Sequence, residues 1–186
     1  MNRLDLNVRT LFGDVAVGLL LAMLLLFAFS GRVSAQQNAH HLMVGVGASY
    51  QRGFDATLSY QRTNRYHNAW EFFGQYHIKY EPDPLAGHIT KHSFWHSYNS
   101  WHLGVGYKPC VARGRNHHGN MRIGVSVGSD LTDFVGGIHL GYEHSIALHK
   151  GWEFFFRVNE DVIIPKSSDL FRTGVHLGFK VPLNAY

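Results

Sequence analysis

The stretch Trp152–Tyr186, WEFFFRVNEDVIIPKSSDLFRTGVHLGFKVPLNAY, decides the fold. Trp152, Phe154, Phe156 and Val158 fall on one side of a two-residue period, and Glu153, Arg157 and Asn159 on the other, with Phe155 as an apolar intruder on the polar side. After a polar loop, Thr173, Val175, Leu177, Phe179 and Val181 alternate with Arg172, Gly174, His176, Gly178 and Lys180. Side chains that change sides at every residue belong to a strand with one apolar and one polar face. The segment reads as two antiparallel strands joined by a loop.

The same alternation recurs upstream. Apolar faces run through Leu42–Tyr50, Phe54–Tyr60, Trp70–Tyr80, Trp101–Tyr107, Met121–Val127 and Ile138–Tyr142. Clusters of Gly, Pro, Asn and Asp separate them, as turn chemistry demands. Helical spacing is nowhere sustained beyond the amino-terminal segment. Eight strands form an even set that can close on itself and remove its exposed edges, so the sequence predicts an eight-stranded antiparallel up-and-down β-barrel.

The amino terminus is a different kind of segment. Arg3 and Arg9 precede an apolar run, Val15–Phe29, which is short for a membrane-spanning helix. Val33-Ser34-Ala35 is a small-residue cleavage site, so residues 1–35 read as a signal peptide and residues 36–186 as a single β-barrel domain. An uncleaved anchor is the alternative, since Asp5 and Asp14 dilute the positive region. Export follows in either case. Cys110 is the one cysteine, so no internal disulfide can staple the domain. Its basic residues are scattered among strands, which gives no nucleic-acid surface.

Alternation does not say which face looks inward, and a soluble periplasmic barrel remains the architectural alternative. Three features point to an outer-membrane barrel with its apolar face in lipid. The polar face is rich in glycine, which suits a lumen only wide enough for its own side chains. Charges of both signs share that face: Asp55, Glu71, Glu143 and Glu153 against Lys79, Arg122, Arg157, Arg172 and Lys180. A narrow lumen would pair them. Finally, aromatics sort into two girdles when successive strands run up and down. Tyr60, Trp70, Tyr107, Trp152 and Phe179 fall near the periplasmic rim, and Tyr50, Phe54, Tyr80, Trp101 and Phe171 near the outer rim. The long links 81–99 and 160–169 then lie outside. The link 109–119 is longer than a periplasmic turn should be.

The strand Arg172-Thr173-Gly174-Val175-His176-Leu177-Gly178-Phe179 resembles the assembly signal of bacterial outer-membrane barrels, although it ends several residues before Tyr186. Through Phe156-Arg157-Val158-Asn159-Glu160 and Gly174-Val175-His176-Leu177-Gly178-Phe179, the chain is similar to the TraO family of conjugative-transposon proteins of Bacteroidetes. That resemblance implies a part of the DNA-transfer apparatus at the envelope. Outer-membrane lipid and other envelope proteins would be the partners, with no direct nucleic-acid contact.

Chemistry is the weaker signal. His88, His92 and His96 recur every four residues and three imidazoles could hold zinc, but no carboxylate or cysteine stands at ligand spacing and the segment has no helix pattern. His117-His118 falls in the link after Pro109. Glu143-His144-Ser145 holds the residue types of an activated serine, yet neighbours on a strand point to opposite faces. His139, Glu143 and Ser145 share the inward face, which lipid does not reach. The sequence therefore assigns no catalytic residue, metal or cofactor and no small-molecule substrate. It leaves two further readings open: a surface barrel binding an extracellular partner, and a lipid-modifying enzyme.

Overall fold

The computed structural model describes residues 39–183 apart from 84, 97, 131 and 165–169, and omits the side chains of 92, 95 and 96. The expected signal peptide and its cleavage site lie outside the described residues. Strands β1 (Ala39–Ser49), β2 (Gly53–Thr63), β3 (Ala69–Lys79), β4 (Tyr98–Lys108), β5 (Cys110–Arg113), β6 (His117–Ser129), β7 (Phe134–Ala147), β8 (Glu153–Ile164) and β9 (Phe171–Pro182) follow one another. All pair antiparallel in the order β4-β3-β2-β1-β9-β8-β7-β6-β5, and β4 also pairs with β6. That pairing closes the sheet.

The short β5 is not a ninth stave. It continues the wall of β4 along the same edge of β6, after an interruption at Pro109, which has no N–H to give the ladder. The molecule is thus a closed eight-stranded antiparallel barrel. The link 109–119, expected to be long, is mostly strand. Its turn is confined to 114–116, where Gly114 N–H donates to the His117 carbonyl at 2.8 Å.

The amino-terminal ends of β1, β3, β6 and β8 share one rim with the carboxy-terminal end of β9, here the proximal rim. The opposite, distal rim carries the β1–β2 turn and the β3–β4 connection. That connection contains a feature the sequence concealed: helix α1, Lys91–His96. Thr90 Oγ1 accepts from Ser93 N–H at 3.1 Å and Thr90 N–H donates to Ser93 Oγ at 3.0 Å, a reciprocal cap that starts the helix despite its brevity. Likewise β8 runs on to Ile164, so part of the expected link 160–169 is strand.

The faces lie as the alternation predicts. On β9, Leu177 is 47% exposed and His176 1%. Exposed apolar side chains ring the barrel from Val44 and Val46 through Leu58, Phe72, Leu103, Val125, Val127 and Leu140 to Val175. Aromatic side chains meet near both rims. Trp70 packs on Tyr107 at 5.1 Å and Phe154 on Phe179 at 5.5 Å near the proximal rim. Phe54 stacks on Tyr80 at 5.4 Å near the distal rim, and Phe94 of α1 lies against both.

Glycine on the inner face makes room for rings as well as for charges. Phe155, the intruder, is buried in the lumen against Gly45 and Gly178. Phe73 lies over Gly104 and Gly124. At Gly128 an added Cβ would run into the Trp101 carbonyl oxygen of the paired strand, whereas at Gly136 the nearest atom would stand 3.7 Å away. Gly128→Ala should therefore force β4 from β6 and cost roughly 1–3 kcal/mol, and Gly136→Ala should stay within about 0.5 kcal/mol of the parent. Urea titrations of the detergent-folded barrel, followed by heat-modifiable gel mobility, will show the difference.

Candidate functional site

Among the described residues, buried titratable side chains gather in the lumen. In its proximal half two carboxylates from opposite walls share a set of fixed cations. Glu71 of β3 accepts from Arg122 Nε at 2.6 Å, Arg157 Nη2 at 2.8 Å and Ser59 Oγ at 3.1 Å, with Lys108 Nζ at 3.1 Å. Glu143 of β7 accepts from Arg157 Nη2 at 2.7 Å and Nε at 3.0 Å, and from Lys108 Nζ at 2.8 Å. Lys180 Nζ lies 2.9 Å from the other Glu143 oxygen and 3.3 Å from Glu153. Glu71, Lys108, Glu143 and Lys180 are fully buried. Arg122 also lies over the Phe73 ring, 4.3 Å from its centroid.

The distal half is built differently. Asp55 accepts from Gln75 Nε2 at 2.9 Å and faces His77 Nδ1 at 3.0 Å and His176 Nε2 at 3.5 Å. Asp161 accepts from Asn159 Nδ2 at 2.8 Å and faces His139 Nδ1 at 2.8 Å. Ser126 Oγ meets the far nitrogen of that imidazole, Nε2, at 2.7 Å. Here carboxylates are held mainly by imidazoles and amides.

Of the nine charged residues picked from the sequence, Glu71, Arg122, Glu143, Arg157 and Lys180 form the proximal cluster, with Glu153 at its edge. Asp55 sits in the distal cluster. Two belong to neither. Lys79 is at the distal rim and pairs with the exposed Glu81 at 3.5 Å. Arg172 is buried, but donates to Ser100 Oγ at 3.2 Å and to the Tyr98 hydroxyl at 3.1 Å instead of joining the acidic set. Glu153 pairs with Lys180. Lys108 and Asp161 were missed. Lys108 stands beside Pro109 at a strand end, where it resembles a turn residue, and Asp161 fell in the expected outer link. Their parity with the polar faces of β4 and β8 is the signal that could have found both.

His117 and His118 belong to β6, not to a turn. His118 stacks on His67 at 4.7 Å and lies 3.8 Å from Glu153. His67 sits in the β2–β3 turn, where burial lowers its pKa and the charge of Glu153 opposes that shift. His88 precedes α1, and its Nδ1 lies 2.8 Å from the Ala86 carbonyl oxygen. The side chains of His92 and His96 lie outside the described residues. Among the described residues no three His, Cys, Asp or Glu gather as metal ligands would. His139, Glu143 and Ser145 all face the lumen, but His139 engages Asp161 and Ser126. One carboxylate interrupts the outer belt: Glu160, which accepts from Thr173 Oγ1 at 2.6 Å.

Neither a protein-family model nor a curated protein matches the sequence. Among solved structures the chain is similar to one described as a de novo design of transmembrane β-barrels, at 11% identity and a TM-score of 0.46, over 80% of this chain and 100% of that one.

Arg157 bridges Glu71 and Glu143 and so ties β8 to both β3 and β7. Arg157→Leu leaves two buried carboxylates short of a partner, and such a loss costs roughly 3–5 kcal/mol. Lys79→Met, at the distal rim beside the exposed Glu81, should cost about 1 kcal/mol or less. Urea midpoints of the two variants against the parent separate a lumenal network from ordinary surface charge.

Proposed function

We propose that this chain is a small outer-membrane β-barrel with a structural or interaction role, serving as a component of conjugative DNA transfer at the cell envelope. The observation that carries the membrane reading is the pairing of an apolar outer belt with a lumen full of charge. A soluble barrel buries its apolar face and wets its polar one, and here the two are exchanged. Strands of 11 to 14 residues cover the ~9–11 that a tilted strand needs to cross a bilayer. Aromatic pairs at both rims suit the two interfaces.

The conjugation role is supported by the resemblance over the last hairpin, Phe156–Glu160 with Gly174–Phe179. Packed as it is with side chains, the lumen suits an anchor or docking partner better than a conduit, so no nucleic acid is expected to thread it. The reading asks no cofactor, metal or catalytic step of the barrel. A second reading, a surface barrel that binds an extracellular partner, is favoured by an open distal-rim groove of about 580 Å³ lined by Tyr50, Gln51, Arg52, Lys79, Glu81 and Pro82.

Two measurements test the proposal. In a Cys110→Ser background, cysteine at Leu177 should react with a membrane-soluble maleimide and cysteine at His176 should not. Protection at Leu177 with reaction at His176 defeats the membrane reading. Deleting the gene from a donor strain should lower transfer of its conjugative element, and the wild-type gene should restore it. Undiminished transfer, with the barrel still needed for binding an external partner, favours the second reading.

A further inference from the structure

We propose that Ser126, His139 and Asp161 form a nucleophilic triad in the distal half of the lumen, able to take an acyl group from a small carboxylic ester. This goes beyond the anchoring role and is independent of it. The serine, histidine and aspartate come from β6, β7 and β8, three adjacent staves, so their geometry is set by the barrel wall and not by a loop.

Asp161 Oδ1 stands 2.8 Å from His139 Nδ1, and an ionised carboxylate can only accept, so the imidazole proton resides on Nδ1. In the neutral imidazole Nε2 carries the lone pair, and it lies 2.7 Å from Ser126 Oγ. This is the arrangement of nucleophile, base and orienting acid that activates a hydroxyl. Asp161 is itself fixed by Asn159 at 2.8 Å and Gln75 at 3.4 Å, and the His139 ring by the edge of Phe73 at 5.0 Å. In register Ser126 lies between Gly104 and Gly137. A Cβ at Gly137 would stand 2.7 Å from Ser126 Oγ and 3.1 Å from His139 Nε2, so a glycine there keeps the serine–histidine contact open. Of the three residues Ser126 is the most accessible, at 6% against 0% for His139 and 2% for Asp161.

The step balances without a co-reactant other than water. Ser126 Oγ bonds to the ester carbonyl carbon while its proton passes to His139 Nε2. The tetrahedral species collapses with loss of the alcohol, which takes that proton. Water then attacks the acyl-serine by the same route, releases the carboxylic acid and restores the hydroxyl. His102, whose Nδ1 lies 3.5 Å from Ser126 Oγ, is a further side chain that can donate toward charge on the carbonyl oxygen.

A fixed structural hydrogen-bond network is the competing account, and diisopropyl fluorophosphate separates the two. With the folded full-length barrel in detergent, the reagent should form one adduct, mapped by peptide mass spectrometry to Ser126. The adduct should vanish in Ser126→Ala. It should form about 10³-fold or more slowly in Asp161→Asn, which keeps the shape but not the tautomer. Gly137→Ala should abolish labelling by parting serine from histidine. Turnover of p-nitrophenyl acetate should follow the same order. A folded wild-type barrel that acquires no adduct at Ser126 overturns the proposal, even if the variants fail to assemble. So does equal labelling of wild type and Asp161→Asn.

Discussion

An eight-stranded barrel encloses a space that its own side chains fill, and this chain puts charge into that space. Side chains there replace bulk solvent, so each charge needs an opposite charge and a set of donors within reach. Glu71 and Glu143 meet this by sharing Arg157 and Lys108 between them, with Arg122 and Lys180 at either side. Among the described lumenal side chains, Asp55, Glu71, Glu143, Glu153 and Asp161 stand against Lys108, Arg122, Arg157, Arg172 and Lys180, and Lys79 at the distal rim pairs with Glu81. Since Glu71 and Arg157 lie on opposite walls, the pairing also fixes the cross-section of the barrel. Any stave that slipped by one residue would turn its charge outward and leave a partner bare.

Glycine follows from the same lack of space. Phe73 and Phe155 carry the apolar bulk of the lumen, and each lies where facing residues have no Cβ: Gly104 and Gly124 under one, Gly45 and Gly178 under the other. Large and small residues thus interlock across the lumen as they do in a soluble core, though most of the remaining surface is polar. The outer face needs no such fit, which is why it tolerates a belt of interchangeable aliphatics between its aromatic rims.

Much of this was legible in the chain. Period-two alternation located every long strand, and it separated Leu177 from His176 one residue away. It also put Phe155 on the polar side, where the structure finds it. What it could not supply was contact across the lumen. That Arg157 reaches Glu71, 86 positions distant, depends on closure and register, which no local pattern encodes. Arg172 shows the limit: its face was right, but its neighbours proved to be Ser100 and Tyr98. Lys108 shows another, because the proline beside it marks a turn in most contexts and here only breaks a ladder. Six residues are too few for α1 to display a period. Its signal was the Thr90–Ser93 cap, a pattern visible only to a reader already looking for a helix.

The two halves of the lumen solve the burial problem with different donors, and the difference bears on what each can do. In the proximal half lysine and arginine pair directly with carboxylates, which serve there as counter-ions. In the distal half Asp55 and Asp161 rest on histidine, glutamine and asparagine. An imidazole has two nitrogens, and one held by a carboxylate leaves the other to accept. A hydroxyl placed at that second nitrogen is then both satisfied and polarised, which is the situation of Ser126. The same requirement that every buried polar group find a partner therefore yields a cluster of ion pairs near one rim and the hydrogen-bonded line Asp161–His139–Ser126 near the other.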